Sequence, residues 1–256
     1  SDILHMFLQA APDACSLKDS VQWLPLHYAC ASKCPSDKVI SKLVAIYQEA
    51  TISKDLKGRT PLHYALASVL SKQVNQKEQK PARQPNLIFI DEEYFEIDTS
   101  SEPTAELTPE VIRLLVSGGA STYSDEHGML PCHYACRYLS LAPDALKVLI
   151  DANPHALLAL DDMGRPPIHF LMGNSDKPNA VLALTTLIEY DRAMTETFIN
   201  IMDHGGRLPV HLLAIQSQSL AKAKKVARTP KETAQVRERE ESLKQCLKLY
   251  LDAEPD

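Results

Sequence analysis

One seven-residue phrase returns five times along this chain and limits what it can fold into. It reads LPLHYAC at Leu24 to Cys30, TPLHYAL at Thr60 to Leu66, LPCHYAC at Leu130 to Cys136, PPIHFLM at Pro166 to Met172 and LPVHLLA at Leu208 to Ala214. Its histidines, His27, His63, His133, His169 and His211, are separated by 36, 70, 36 and 42 residues. A chain that repeats one short unit buries its apolar faces by stacking neighbour on neighbour, not by folding around distant segments.

Other residue types keep the same register. An aspartate stands eight residues before each histidine (Asp19, Asp55, Asp125, Asp161, Asp203), and a glycine stands five before four of them (Gly58, Gly128, Gly164, Gly206). In the first unit Gln22 takes the glycine's place. Asp-x-x-Gly supplies a tight turn in which glycine tolerates positive φ. The proline two before each histidine starts a helix where its missing N–H costs nothing. After the first helix come apolar stripes at helical spacing: Val39, Ile40, Leu43, Val44 and Tyr47; Val111, Ile112, Leu114 and Leu115; Leu146, Val148, Leu149 and Ile150. Each unit therefore reads as turn, helix, helix.

With T-P-L-H-Y-A at Thr60 to Ala65 and a period near 36 residues, the chain resembles the ankyrin repeat. The resemblance implies an all-α, helix-turn-helix repeat solenoid of about five full repeats and an N-terminal half repeat, forming one domain over residues 1–256. The half repeat covers 1–18 and the repeats cover 19–54, 55–124, 125–160, 161–202 and 203–256. Where such units commonly close with Gly-Ala-Asp, this chain writes AAPDAC at Ala10 to Cys15 and ANPHAL at Asn153 to Leu158; only Gly118, Gly119 and Ala120 keep the commoner form. Ile3, Leu4, Phe7 and Leu8 read as the second helix of a unit that lacks its first, so the chain is expected to be a piece of a longer polypeptide.

Two stretches break the period. The long interval is read as one period plus an insertion of about 34 residues, roughly 73–107, inside the second unit. Within it Leu87 to Ile90 and Tyr94 to Ile97 flank Asp91, Glu92 and Glu93, which reads as a β-hairpin with a three-residue loop or as a linear strand-like segment. Leu87 to Leu107 holds seven acids and no base. Its apolar residues, Phe89, Tyr94 and Phe95 among them, call for a docking surface, either on the same chain or on another. The last unit is lengthened into helices expected over about 209–228 and 231–252, with nine bases against four acids from Ala221 to Lys248, read as a solvated face.

The histidines are read as structural. Five equivalent copies do not suit a unique catalytic centre, and a buried imidazole needs backbone partners. Cys30 with Cys34, and Cys132 with Cys136, sit one helical turn apart, a spacing open to two metal ligands, but a thiol at a small-residue helix position behaves as a compact hydrophobe. No phosphate-cradling loop, nucleophile elbow, zinc-protease or Rossmann motif occurs, so no enzyme activity, cofactor or metal is expected. Net charge −6 disfavours nucleic acid, no apolar run is long enough to span a bilayer, and six unclustered cysteines favour an intracellular, cytoplasmic or nuclear, setting.

The function implied by the resemblance is protein recognition on a concave surface of fingers and first helices. By that analogy Trp23, Arg59, Met129, Arg165 and Arg207, two before each motif proline, face outward and contact the partner, flanked by Val21, Lys57, His127, Met163 and Gly205. Three arginines in that column favour an acidic protein or peptide. The alternative is self-association through residues 85–100.

Overall fold

The structure, a computed structural model, describes residues 11–32, 36–68, 87–90, 93–96, 107–139, 141–177 and 179–253. Its regular structure is helical apart from one two-stranded hairpin. The helices are α1 (Pro25–Ala31), α2 (Asp37–Ile46), α3 (Pro61–Ser68), α4 (Pro109–Val116), α5 (Pro131–Tyr138), α6 (Pro143–Ala152), α7 (Pro167–Met172), α8 (Ala180–Tyr190), α9 (Arg192–Phe198), α10 (Pro209–Val226) and α11 (Pro230–Ala253). Short 3-10 turns at Pro12–Ser16, Gln48–Ile52, Ala120–Thr122 and Pro154–Leu157 follow the second helices or lead into the next turn.

The helices form two rows. The motif helices α1, α3, α5, α7 and α10 pack in that order, and α2, α4, α6, α8 and α11 form a second row behind them. One apolar core runs the length of the stack: Leu26, Cys30 and Ile40 at one end, then Leu62, Leu66, Ile112 and Leu115, then Leu146, Leu149 and Ile168, and Leu184, Phe198, Cys246 and Tyr250 at the other. Each fully enclosed Leu, Ile or Phe contributes about 1.5–3 kcal/mol relative to exposure, and none could be enclosed by its own unit alone.

Because α3 packs directly on α5, and the Glu126 N–H donates to the Lys57 carbonyl at 2.9 Å, the second and third units are immediate neighbours. The long interval is thus one period with an insertion. Within the insertion β1 (Leu87–Ile90) pairs antiparallel with β2 (Glu93–Glu96), Ile88 opposite Phe95 and Phe89 opposite Tyr94. Pairing of Ile90 with Glu93 leaves two residues between the strands, not the three that the sequence pattern gives. Glu93 joins the ladder because backbone pairing is indifferent to side-chain polarity at a strand end. The remainder of 73–107, up to Glu106, lies outside the described residues.

Helix starts follow the motif closely. Four motif helices carry proline at their first positions after an extended residue, and α3 begins at Pro61. Thr108 caps α4 through Val111 N–H and donates its hydroxyl to Asp37 Oδ2 at 3.0 Å, tying the second helices of adjacent units together. The 42-residue interval has a local cause: α9 adds a short helix, capped by Asp191, between α8 and the last turn. No helix among the described residues is long and apolar enough to cross a membrane.

Candidate protein-interaction surface

The turn preceding each motif helix is one object built five times. Asp19, Asp55, Asp125, Asp161 and Asp203 each accept, on Oδ1, the N–H groups two and four residues ahead at 2.8–3.0 Å. The aspartate N–H in turn donates to the carbonyl four residues ahead, closing the loop. Such closure puts the third residue after the aspartate into the left-handed region. Gly58, Gly128 and Gly164 sit at φ +73° and Gly206 at +72°, and Gln22 is held at +66°.

Neighbouring turns are stitched together. Leu56, Glu126, Asp162 and His204 donate their N–H to the carbonyls of Val21, Lys57, His127 and Met163 in the preceding turn, at 2.8–3.4 Å. The motif histidines add a second stitch. Nδ1 of His27, His63, His133 and His211 accepts the N–H of the residue three before it at 2.9–3.1 Å. With Nδ1 accepting, the proton lies on Nε2, which donates to the next turn: His63 to Met129 O at 3.2 Å, His133 to Arg165 O at 3.1 Å, and His169 to Arg207 O at 2.9 Å. His169 differs because the residue three before it is Pro166, which has no N–H, and its buried Nδ1 has no partner. Burial pushes His27 and His63 down to about 4 and lowers His133 and His169 as well. These rings are neutral links in a scaffold.

The second aspartate oxygen has two alternative partners. In the first three units the tyrosine after the motif histidine donates to it: Tyr28 to Asp19 at 2.5 Å, Tyr64 to Asp55, and Tyr134 to Asp125 at 2.7 Å. In the last two units that position is Phe170 or Leu212, with no hydroxyl, and an arginine replaces it. Arg165 Nε and Nη2 reach Asp161 Oδ2 at 2.8 and 2.7 Å, and Arg207 makes the same fork to Asp203 at 2.8 Å. Burial raises the Asp161 carboxyl, but the Arg165 bonds more than reverse this and leave it below its ordinary value.

This geometry corrects the outward column. Trp23, Arg59 and Met129 are only 4%, 1% and 3% exposed, so three of its five members point into the stack. Trp23 packs against Tyr64 of the next unit with ring centroids 4.4 Å apart. Arg59 Nε approaches Asp125 Oδ2 of the next turn at 4.0 Å. Arg165 and Arg207 remain partly exposed but are spent on their own turns. In the first three units the residue whose N–H closes the Asp loop buries its side chain in the stack, whereas Arg165 and Arg207 fold back on their own aspartates, a difference that spacing alone does not give.

The positions flanking that column are the ones that project. Val21, Leu56, His127 and Met163 are exposed, Leu56 by 70%, and Leu160 and Met202 lie beside them at the base of the last two turns. Before the first two aspartates stand lysines, with Lys18 donating to Lys54 O at 3.2 Å and Lys54 lying 4.8 Å from the Tyr123 ring centre. The projecting row thus mixes apolar and charged side chains on one backbone ladder. Phe89, Tyr94 and Phe95 have a described backbone register, and their side chains lie outside the described residues, as does Cys34.

The remaining candidates have local explanations. Cys15, Cys30, Cys132, Cys136 and Cys246 are buried free thiols. A hydrogen bond with Cys132 and burial hold Cys136 well above the usual thiol range, and burial pushes Cys246 up to about 12. Among the described residues no cluster of three or more His, Cys, Asp or Glu could hold a metal ion. In the long terminal pair, Lys224 meets Glu240 at 2.9 Å, and α11 is anchored to the 173–177 loop by Arg239 to Asp176 and by Ser242 to the carbonyls of Ser175 and Lys177 at 2.9 Å. Comparison with protein-family models and with curated proteins finds no match to this chain.

Proposed function

We propose that the chain is an ankyrin-type repeat solenoid and acts as a non-enzymatic, intracellular protein-recognition module. The observation that carries this reading is a division of labour within each turn. Asp, His, Gly and the Tyr or Arg partner are consumed by the scaffold in nearly every copy. The projecting positions differ from copy to copy: Val21, Lys57, His127, Met163 and Gly205, with Leu56, Glu126, Asp162 and His204 beside them. A fixed ladder that displays variable side chains in a row suits recognition of an extended surface. Five buried free thiols support a reducing compartment.

The test is affinity capture from source-cell lysate with mass spectrometry, comparing the native chain with a Leu56→Glu, Met163→Glu variant. Both residues are exposed, so the variant keeps its helical circular dichroism. A partner kept by the native chain and lost by the folded variant supports the reading. Identical profiles overturn the projecting row as the contact surface.

A further inference from the structure

Arg137 has no role in the scaffold. It stands four residues after the motif histidine, where the other units carry Ala31, Ala67, Gly173 and Ile215, so the repeat does not require a charge there. Arg59, Arg165, Arg207 and Arg239 each face an aspartate. Arg137 is half-buried and meets no carboxylate among the described residues. Its contacts are soft: Nη1 lies 3.9 Å from Met129 Sδ, and the guanidinium carbon lies 5.5 Å from the Tyr138 ring centre and 6.0 Å from that of Phe170. The Phe170 ring also has the Arg165 guanidinium 4.5 Å from its centre. With Nε and Nη2 of Arg165 taken by Asp161, its Nη1 has no protein partner among the described residues.

The floor between these two arginines is braced. Asn174 Nδ2 donates to Arg137 O at 3.0 Å and to Phe170 O at 2.8 Å, locking the end of α5 to α7. A guanidinium held partly out of water without a counter-ion is unfavourable until an anion arrives, and its planar fork suits a carboxylate. A flat aromatic ring beside it offers stacking area to a neighbouring apolar or aromatic group.

Resting on the recognition reading above, we propose that Arg137, with Phe170 as floor and Arg165 as second donor, receives an acidic side chain of a partner peptide that carries an aromatic or apolar residue next to the acid. The occupant is chosen by charge: an unneutralised cation among rings selects Asp or Glu flanked by an apolar neighbour.

The experiment is selection from a library of random dodecapeptides on the native chain, on Arg137→Gln and on Arg113→Gln, an exposed arginine of α4 in the second helix row. The expected result is enrichment of Asp or Glu beside an aromatic residue on the native chain and on Arg113→Gln, and its loss on Arg137→Gln. A synthetic copy of the enriched peptide should bind Arg137→Gln at least about tenfold more weakly, and should shift the Arg137 Nε–Hε resonance of the native chain. Arg137 makes only soft contacts, so its variant should melt with the native chain. Peptides selected without acidic enrichment, or equally by Arg137→Gln, overturn this inference and leave the recognition reading standing. Failure to select any peptide overturns both.

Discussion

Pro166→Thr should stabilise the protein, although replacing proline usually does the opposite. His169 is enclosed, and its Nδ1 is the motif-histidine Nδ1 without a donor, because the residue three before it has no N–H. The second unit shows the remedy: Thr60 gives His63 Nδ1 both its N–H at 3.1 Å and its hydroxyl at 3.0 Å. Pro166 sits at φ −73°, ψ 165°, extended backbone that threonine adopts without strain, and the side chains are close in volume. Leaving a buried acceptor unpaired costs about 1–3 kcal/mol. Removing proline's restriction of the unfolded chain gives back about 0.4–1 kcal/mol. The net gain is therefore about 1 kcal/mol, a rise of roughly 2–4 °C in melting temperature for a chain of this size. Urea unfolding at constant m-value reads the free energy, and the 15N shift of His169 Nδ1 reads the new bond directly. An unchanged or lower midpoint, with an unmoved Nδ1 shift, would refute the reasoning that the ring lacks a donor.

Acid should weaken the fold well above the carboxylate range. His27 and His63 are neutral in the fold down to about pH 4, whereas in the unfolded chain they protonate near 6.5. Between those values the unfolded state binds more protons, so stability is complete above about 6.5 and falls as pH drops towards 4, by on the order of 3 kcal/mol for each ring at the lower end. Urea midpoints that stay flat from pH 7 to 5 would contradict this. Gln22→Gly should stabilise by about 0.5–1 kcal/mol, since a side chain now occupies a left-handed position at φ +66° that the other four turns give to glycine. An unchanged thermal midpoint for that variant would show that the first turn relaxes without cost.

Much of the architecture is legible because helix starts, left-handed turns and apolar stripes are local properties. Pro209 and Pro230 open the terminal helices within a residue of the expected places, and the stripes at Ile40, Leu43 and Val44 and at Leu146, Leu149 and Ile150 are buried as their spacing requires. What spacing does not carry is direction across a junction. Trp23, Arg59 and Met129 occupy the expected position in the turn and face the opposite way, because their direction depends on what the next unit offers: the Tyr64 ring for Trp23, the Asp125 carboxylate for Arg59. The helix Arg192–Phe198 was hidden for a related reason, since seven residues with one cap are too short to show a periodic stripe. Arg137 left one trace in the sequence, a charge at a position that is otherwise small or apolar. Only its neighbours show that no carboxylate among the described residues answers it.

The exchange of Tyr for Arg at the aspartate explains how such a chain can vary its surface without loosening its frame. Each turn needs one donor to Asp Oδ2, and it accepts that donor from the helix, as in Tyr28 and Tyr134, or from the turn itself, as in Arg165 and Arg207. When the helix supplies the hydroxyl, the turn position is released to hold Trp23 or Met129, which fill the junction. When the turn supplies the guanidinium, the helix position is released to hold Phe170, which then forms the apolar floor beside Arg137. The arginine–aromatic patch is thus a consequence of which partner the fourth unit uses to satisfy Asp161. A Phe170→Tyr substitution should set the two donors in competition for Asp161 Oδ2 and loosen the Arg165 fork. The Arg137–Phe170 patch and the scaffold are therefore coupled through one oxygen of the Asp161 carboxylate.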